Sequence, residues 1–160
     1  MLLKGKVAVV YGGSGAVGGA VARAFAREGA IVHVAARGRD RLEAVADEIR
    51  GSGGIAYAGL VDALDRASVD AHLAGVAAQS GPVKIVFSAI DWGDSQGQKL
   101  TEMNLDRFVL PVERGLKSWL NVGGAAARHM GENGGGVILG ITANAAREAY
   151  TQMGGFGIAC

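Results

Sequence analysis

A short apolar segment that runs directly into a glycine turn is the feature that most constrains the fold of this chain. The apolar segment is Val7–Tyr11, the turn at residues 12–15 reads Gly-Gly-Ser-Gly, and a helical pattern follows over residues 16–28. Strand, glycine turn and helix in this order bring backbone N–H groups and the positive end of a helix dipole to one point. Such a point binds a diphosphate, so the pattern predicts a dinucleotide site.

Short apolar runs alternate with helical spacing along the rest of the chain. Strands are predicted at residues 7–11, 31–35, 55–61, 83–89 and 137–142. Helices are predicted over residues 16–28, from Asp40 to the glycines at 51–54, before Gly81, and over 112–130 after Pro111. Because strands that alternate with helices pair in parallel through right-handed crossovers, we predict an α/β fold, a doubly wound parallel sheet of Rossmann type with about five strands.

Composition narrows the class of protein. With 160 residues, of which 49% are hydrophobic and 19% charged, residues 1–160 are expected to form a single dinucleotide-binding domain. A net charge of +1 without a basic run gives no indication of nucleic-acid or membrane-surface binding. The single cysteine, Cys160, fits a reducing compartment, and no apolar run has the length of a membrane helix. We therefore expect a cytoplasmic protein.

The C-terminal end of the chain leaves the predicted sheet incomplete. Residues 150–160 contain no helix stop, and residues 155–160 resemble the beginning of an element. A fifth strand at the end of the sheet would leave an apolar edge unpaired, which proteins normally cover. We expect either that the domain is an incomplete fragment or that a partner chain covers this edge.

The glycine turn and its surroundings resemble the short-chain dehydrogenase/reductase family. The resemblance covers essentially the whole chain and is strongest from Lys4 to Asp62. The family's phosphate turn, Thr-Gly-x-x-x-Gly-x-Gly, corresponds to residues 11–18, with Tyr11 in place of Thr and Ala16 in place of the middle Gly. The resemblance implies a nicotinamide dinucleotide as ligand. A turn kept only for strand–helix packing is the alternative.

The segment after the second strand favours NADP over NAD. A protein that prefers NAD places an acid here to bind both ribose hydroxyls. This chain has Arg37 instead, and the first acid after the second strand is Asp40. A planar guanidinium pairs with phosphate oxygens, and in the family an Arg here accompanies NADP with its 2′-phosphate. A solvated loop arginine is the alternative.

Two further positions bear on the adenosine half of the cofactor. Asp62 follows the third strand, where the family has an Asp that meets the adenine amine, although it could equally cap the turn before the helix near Asp65. The family's Asn-Asn-Ala-Gly becomes Phe-Ser-Ala-Ile at residues 87–90, which leaves Ser88 to replace the polar contact. The positions that the resemblance assigns to the cofactor are Gly12, Ser14, Gly15, Ala16, Val17, Gly18, Arg37, Val61, Asp62, Ser88 and Ala89.

The catalytic half departs from the family pattern. The family uses a Tyr as proton donor, a Lys one helical turn later and a Ser upstream, and these positions hold Phe156, Cys160 and Ala143. The family's helical Asn falls near Gly115, with Asn121 as the alternative. Phenylalanine has no proton to donate, and a neutral thiol does not supply the field of an ammonium. Since a positioned acid contributes about 10²- to 10⁴-fold, we predict that Tyr-dependent carbonyl reduction is absent or strongly impaired.

Other polar residues offer alternatives. Tyr150 is a candidate for a displaced proton donor, and Thr142 for a hydrogen bond to a carbonyl oxygen, although both residue types are more often structural. The three histidines do not have metal-ligand spacing, so no metal site is predicted. Asp91, Asp94 and Glu102 are interpreted as a solvated loop face.

Three hypotheses of function follow from these patterns. The first is an NADP(H)-binding protein without the standard chemistry. The second is an active NADP-dependent oxidoreductase with a displaced proton donor, acting on a small-molecule substrate that the sequence does not identify. The third is a structural or regulatory subunit with a decayed site. Family resemblance also implies a homo-oligomer, with the apolar face of the helix over residues 112–130 as one interface.

Overall fold

Five parallel strands form one sheet in the order β3-β2-β1-β4-β5 in the computed structural model, which describes residues 1–93, 95–148 and 150–160. The strands are β1 (Val7–Tyr11), β2 (Ile31–Ala36), β3 (Ile55–Leu60), β4 (Val83–Ser88) and β5 (Val137–Gly140). The helices are α1 (Ala16–Arg27), α2 (Arg39–Gly51), α3 (Arg66–Ser80), α4 (Leu105–Glu132) and α5 (Gly154–Ala159). The predicted doubly wound α/β sheet is confirmed.

The central strand β1 divides the core into two layers. All five of its residues are buried, as expected for a parallel strand covered on both faces. Val9 and Tyr11 pack with residues of α3 and α4, whereas Ala8 and Val10 pack with residues of α1 and α2. Because β1 pairs with β2 on one side and with β4 on the other, the strand order reverses at β1, and ligands of such sheets bind beyond this point.

Helix α4 begins earlier than the sequence predicts. We expected it over residues 112–130, with Pro111 as its start signal, but it runs Leu105–Glu132 and contains Pro111 in its interior. The side chain of Asn104 caps the first turn by accepting a hydrogen bond from the Arg107 N–H at 2.8 Å. Pro111 is buried where α5 crosses α4 closely, since a Cβ on Gly155 would lie 3.2 Å from the proline Cγ. Pro111 therefore lies at the contact between α4 and α5, at a position where proline removes one backbone hydrogen bond from the helix.

The C-terminal region differs from prediction in one boundary. Strand β5 ends at Gly140 rather than at residue 142, because its partner β4 ends at Ser88. The segment that resembled the beginning of an element forms α5, and the Thr142 hydroxyl donates a hydrogen bond to the Cys160 carbonyl at 2.7 Å. The β5 edge is apolar and open, with Val137 52% exposed.

The connection between β4 and α4 was predicted as a loop over residues 91–101. Its described part is irregular except for a 3-10 helix, Leu100–Glu102. Asp94, one of the three acids assigned to a solvated loop face, lies outside the described residues. Within the described residues, no helix is long and apolar enough to cross a membrane.

Candidate functional site

A cleft of about 330 Å³ opens beyond the carboxyl ends of β1, β2, β3 and β4. The four turns that follow these strands form its walls, with one further side chain from α4. The lining residues are Tyr11, Gly12, Ser14, Gly15, Ala35, Ala36, Arg37, Gly38, Arg41, Val61, Asp62, Ala63, Leu64, Ala89, Ile90, Asp91 and Arg114. The cleft lies at the reversal of strand order, where the sequence places a dinucleotide.

The glycine turn is held closely against its neighbours. Gly12 has a φ of 77°, a left-handed conformation that favours glycine, and a Cβ there would overlap the carbonyl oxygen of Ala89. A Cβ on Gly18 would overlap the carbonyl oxygen of Gly12. These two glycines therefore serve the packing of the turn, which was the alternative interpretation. This packing also brings the turn and the β4 end together as one wall of the cleft.

The start of α1 is open to a ligand. Gly15 is the N-cap and makes no side-chain cap hydrogen bond, and the first turn holds no acid. Gly15, Ala16 and Val17 are exposed. The space beside Gly15 is open, since the nearest atom to a Cβ added there would be the Gly12 carbonyl oxygen, at 3.4 Å. The first-turn amides of a helix have no intrahelical acceptor, so they remain available to an anion. The cradle fits a diphosphate in both charge and space.

Two arginines line the cleft on the β2 side. Arg37 follows β2 and Arg41 lies in the first turn of α2, and both are exposed. In the described part of the chain neither is in an ion pair. Arg39, which lies between them, does form one, with its Nη1 3.9 Å from Oε1 of Glu43. Arg41 was missed from the sequence, although its place near the start of the helix after Arg37 was a usable signal. Two unpaired guanidinium groups make this end of the cleft suitable for a phosphate.

Asp62 lines the cleft and also caps the turn after β3. Its Oδ1 accepts a hydrogen bond from the Leu64 N–H at 3.0 Å. Val61, beside it, is buried, and its N–H donates to the Ala36 carbonyl at 3.0 Å. The turn after β3 is thus held against the end of β2, with a carboxylate at the cleft.

The turn after β4 carries one expected and one unexpected lining residue. Ala89 lines the cleft, and its N–H donates to the Tyr11 carbonyl at 2.9 Å. Asp91, which we interpreted as a solvated loop residue, also lines it, and its Oδ1 accepts from the Gly93 N–H at 2.9 Å. Ser88 is buried at the end of β4 and is not among the lining residues. Ala16, Val17 and Gly18 lie beside the cleft on α1 rather than in its walls.

The residues at the family's catalytic positions lie around α5. Phe156 is on α5, with its ring centroid 6.5 Å from that of Trp92 and its N–H donating to the Ser95 hydroxyl at 3.1 Å. Cys160 follows this helix, and Ala143 precedes the 3-10 helix Asn144–Ala146. None of these three, nor Thr142, is among the residues that line the cleft.

Tyr150 is held by its own neighbours. Its hydroxyl donates to a carboxylate oxygen of Glu148 and accepts from the Asn144 side-chain amide at 2.8 Å. The hydrogen bond to Glu148 is the main cause of a raised pKa of the Tyr150 phenol. The phenol is exposed and does not line the cleft.

The Asn candidate on α4 has a structural contact. The Asn121 side-chain amide donates to the Ala63 carbonyl at 3.0 Å, which ties α4 to the turn after β3. Gly115 packs on Trp92, since a Cβ there would lie 3.4 Å from the indole. Neither residue lines the cleft.

Tyr11, which replaces the family's Thr, is buried beneath the cleft. Its hydroxyl lies 3.2 Å from Nδ1 of His72. Burial raises the pKa of the Tyr11 phenol, with a smaller contribution from Asp70, and burial lowers the pKa of His72 to about 4. Both groups are therefore neutral near pH 7.

A second histidine with a lowered pKa, His33, lies on the β2 strand and is buried. His33 stacks on Tyr57, and its Nε2 lies 2.9 Å from the Ser80 hydroxyl. Burial, with a smaller effect from His72, lowers the pKa of His33 to about 4. Among the described residues, no three or more His, Cys, Asp or Glu side chains are grouped so that they could hold a metal.

Known proteins resemble this chain over nearly its whole length. The sequence model of the short chain dehydrogenase family matches residues 6–158. The 7alpha-hydroxysteroid dehydrogenase of Escherichia coli strain K12 is 32% identical over 151 residues, which are 94% of this chain and 58% of that protein. The glycine betaine reductase ATRR of Emericella nidulans is 32% identical over 152 residues, which are 95% of this chain and 12% of that protein.

Solved structures share the fold. A short-chain type dehydrogenase/reductase from Mycobacterium marinum superposes with a TM-score of 0.88 at 30% identity, over 98% of this chain and 64% of that one. A metagenomic short-chain oxidoreductase, solved in complex with NADP, has a TM-score of 0.88 at 27% identity, over 99% of this chain and 72% of that one. The chain spans less than two thirds of the length of the curated relatives named above. By sequence and by fold, this chain belongs to the short-chain dehydrogenase family.

Proposed function

We propose that the chain binds NADP(H) in the cleft beyond β1–β4 and that it belongs to a protein of oxidoreductase ancestry whose Tyr-dependent carbonyl reduction is absent or strongly impaired. The observation that carries this proposal is the pairing of an open α1 N-terminus with unpaired cationic side chains after β2. The solved complex of a related oxidoreductase with NADP supports it. The nicotinamide ring, when bound, supplies or accepts a hydride.

Different residues of the cleft bind different parts of the dinucleotide. The amides at the start of α1, beside Ser14 and Gly15, hold the diphosphate. Arg37 pairs with the 2′-phosphate through its planar fork, and Arg41 adds a second positive charge on the same side. The Asp62 carboxylate oxygen that does not cap the turn accepts a hydrogen bond from the adenine amine. Val61 and Ala89 line the surface between these polar groups.

The chemistry is impaired because no proton donor stands at the family position. Phe156 carries no acidic hydrogen, and Cys160 does not replace an ammonium. A positioned acid contributes about 10²- to 10⁴-fold to rate, so its loss leaves reduction of an ordinary carbonyl very slow. Ala143 adds no hydroxyl to bind the substrate oxygen.

An active oxidoreductase with a displaced donor is the second candidate. Tyr150 favours it, because its phenol is exposed and is held between Asn144 and Glu148. Its raised pKa weakens it as an acid, however, and its proton is already directed to Glu148. The third candidate, a structural or regulatory subunit, predicts no cofactor affinity.

We also propose a cytoplasmic homo-oligomer. The α4 helix presents Leu116, 69% exposed, and Leu120, 75% exposed, on its outer face. These two apolar side chains lie one helical turn apart, so a second copy of this helix could bury both of them at once.

The experiment that tests the proposal compares neighbouring arginines. The melting temperature of the wild-type chain should rise with NADPH and rise less with NADH. Arg37→Ala should abolish the difference between the two cofactors. Arg39→Ala is the matched control, because Arg39 pairs with Glu43 and does not line the cleft. Equal shifts with both cofactors in the wild type, or loss of the NADPH shift in the control, would contradict the proposal.

A further inference from the structure

A third arginine faces the cleft from the opposite wall. Arg114 lies on α4 and lines the cleft together with Leu64 and Asp91. Asn121 is seven residues later, which is about two helical turns, so the two side chains share a face of α4. The Asn121 amide donates to the Ala63 carbonyl at 3.0 Å, which places this face against the turn after β3. Arg114 therefore stands at the end of the cleft that holds Asp62.

The turn after β4 makes room for the Arg114 side chain. Gly93 has a φ of 93°, and a Cβ there would lie 3.4 Å from Nη1 of Arg114. The Asp91 carboxylate fixes this turn through its hydrogen bond to the Gly93 N–H at 2.9 Å. The guanidinium thus lies along a bare glycine surface, beside Leu110, at the mouth of the cleft.

The acids that line the cleft each cap a turn through one oxygen, whereas Arg114 has no partner among the described residues. Asp62 and Asp91, the two acids among the described lining residues, each accept a hydrogen bond from a backbone N–H through Oδ1. Over residues 1–93, 95–148 and 150–160, Arg114 makes neither an ion pair nor a hydrogen bond, and it is half-buried. A planar cation held without a partner beside a cleft suits a flat aromatic ligand, because a guanidinium stacks on aromatic faces.

We propose that Arg114 stacks on the adenine ring of the bound dinucleotide and sets the affinity of the cleft for the base. The inference rests on the proposed function and adds a residue to it. In this arrangement Arg37 binds the 2′-phosphate and Asp62 binds the edge of the adenine base. Arg114 packs on the face of the same base. The role of Arg114 is then independent of the 2′-phosphate, and it requires the planar guanidinium rather than a positive charge alone.

Two small ligands separate these roles. Adenosine 5′-diphosphate and adenosine 2′,5′-bisphosphate are titrated calorimetrically into the full chain and its variants. Arg114→Ala and Arg114→Lys should each weaken both ligands by about threefold or more, by similar factors. Arg37→Ala should weaken only the 2′,5′-bisphosphate. Lys117→Ala is the matched control on the same helix, since Lys117 pairs with Glu113 at 3.8 Å away from the cleft, and it should change neither affinity.

The outcomes distinguish the inference from the function on which it rests. Unchanged affinities in Arg114→Ala would overturn the inference alone, provided that Arg37→Ala still shows its selective loss. Full retention of affinity in Arg114→Lys would also overturn it, because a charge would then suffice. A loss limited to the 2′,5′-bisphosphate would assign Arg114 to the phosphate instead. If the folded wild-type chain binds neither ligand, the proposed function falls, and the inference with it.

Discussion

Gly12 and Ala89 lie against each other at the centre of the cleft, closely enough that a Cβ on Gly12 would overlap the Ala89 carbonyl oxygen. The Ala89 N–H also donates to the Tyr11 carbonyl at 2.9 Å, so a hydrogen bond beside this contact joins the end of β1 to the residue after β4. The glycine turn therefore depends on a residue far along the chain. Both the backbone conformation of the turn and its packing on Ala89 require glycine at position 12.

Substitution of Gly12 should destabilise the fold. We expect Gly12→Ala to lower the free energy of unfolding by about 1–3 kcal/mol, because alanine is strained at a φ of 77° and its methyl group meets the Ala89 carbonyl. Chemical denaturation measures this. Gly75→Ala is the control of opposite sign: Gly75 lies inside α3 with nothing within 4 Å of an added Cβ, and alanine should stabilise by about 0.5–1 kcal/mol. Equal effects of the two substitutions would contradict this account.

Acid should destabilise the chain through two histidines whose pKa values are lowered in the folded state. His33 and His72 have pKa values lowered to about 4 in the folded state, against an ordinary value of 6.5. Below pH 6.5 the unfolded chain binds more protons than the folded one, so stability is complete above pH 6.5 and falls toward pH 4. Denaturation midpoints measured across this range should show the decline. His33→Gln, which keeps a partner for Ser80, should flatten it, and an undiminished slope in this variant would remove His33 from the explanation.

Catalysis should fail at the proton-transfer step rather than at cofactor binding. We expect a panel of ketones and aldehydes to cause no loss of NADPH absorbance beyond the background rate, because Phe156 offers no proton. Thr142 and Cys160 hold one another through a 2.7 Å hydrogen bond and do not line the cleft. Substrate-dependent turnover that Tyr150→Phe abolishes would contradict this prediction and establish Tyr150 as a displaced donor.

Self-association should depend on the outer face of α4. We expect sedimentation at micromolar concentration to show a dimer or a larger species. The double substitution of Leu116 and Leu120 by Glu should shift it toward the monomer, since charges replace exposed apolar side chains on one helix face. The control is Lys117→Ala, a substitution on the same helix that removes no apolar side chain. It should leave the proportions of monomer and oligomer unchanged. A monomeric wild-type chain would refute the prediction.

The fold was predictable where the signal is local. The apolar run at Val7–Tyr11, the glycine turn and the alternation of strands and helices are all properties of short segments, and they determine a parallel sheet with its cleft. The start of α4 was not predictable in this way. Pro111 is a frequent first residue of helices, and it is accommodated inside this one by packing against Gly155, which is distant in sequence.

The candidate site was predictable from residues that directly follow strands. Arg37, Asp62 and Ala89 line the cleft because each follows the end of a parallel strand. Arg114 gave no such signal, because its place depends on how α4 lies against the turn after β3. Asp91 was interpreted as solvated because a loop acid has no periodicity that distinguishes a cleft wall from an open surface.

Calorimetric titration of the wild-type chain with NADPH measures directly whether the cleft binds this cofactor. We expect a saturable binding heat with NADPH and a weaker interaction with NADH, since only NADPH carries the 2′-phosphate that Arg37 recognises. Absence of binding to either cofactor, in protein shown by its cooperative melting to be folded, would contradict an NADP(H) site in this cleft. The glycine turn would then serve only to pack α1 against the sheet.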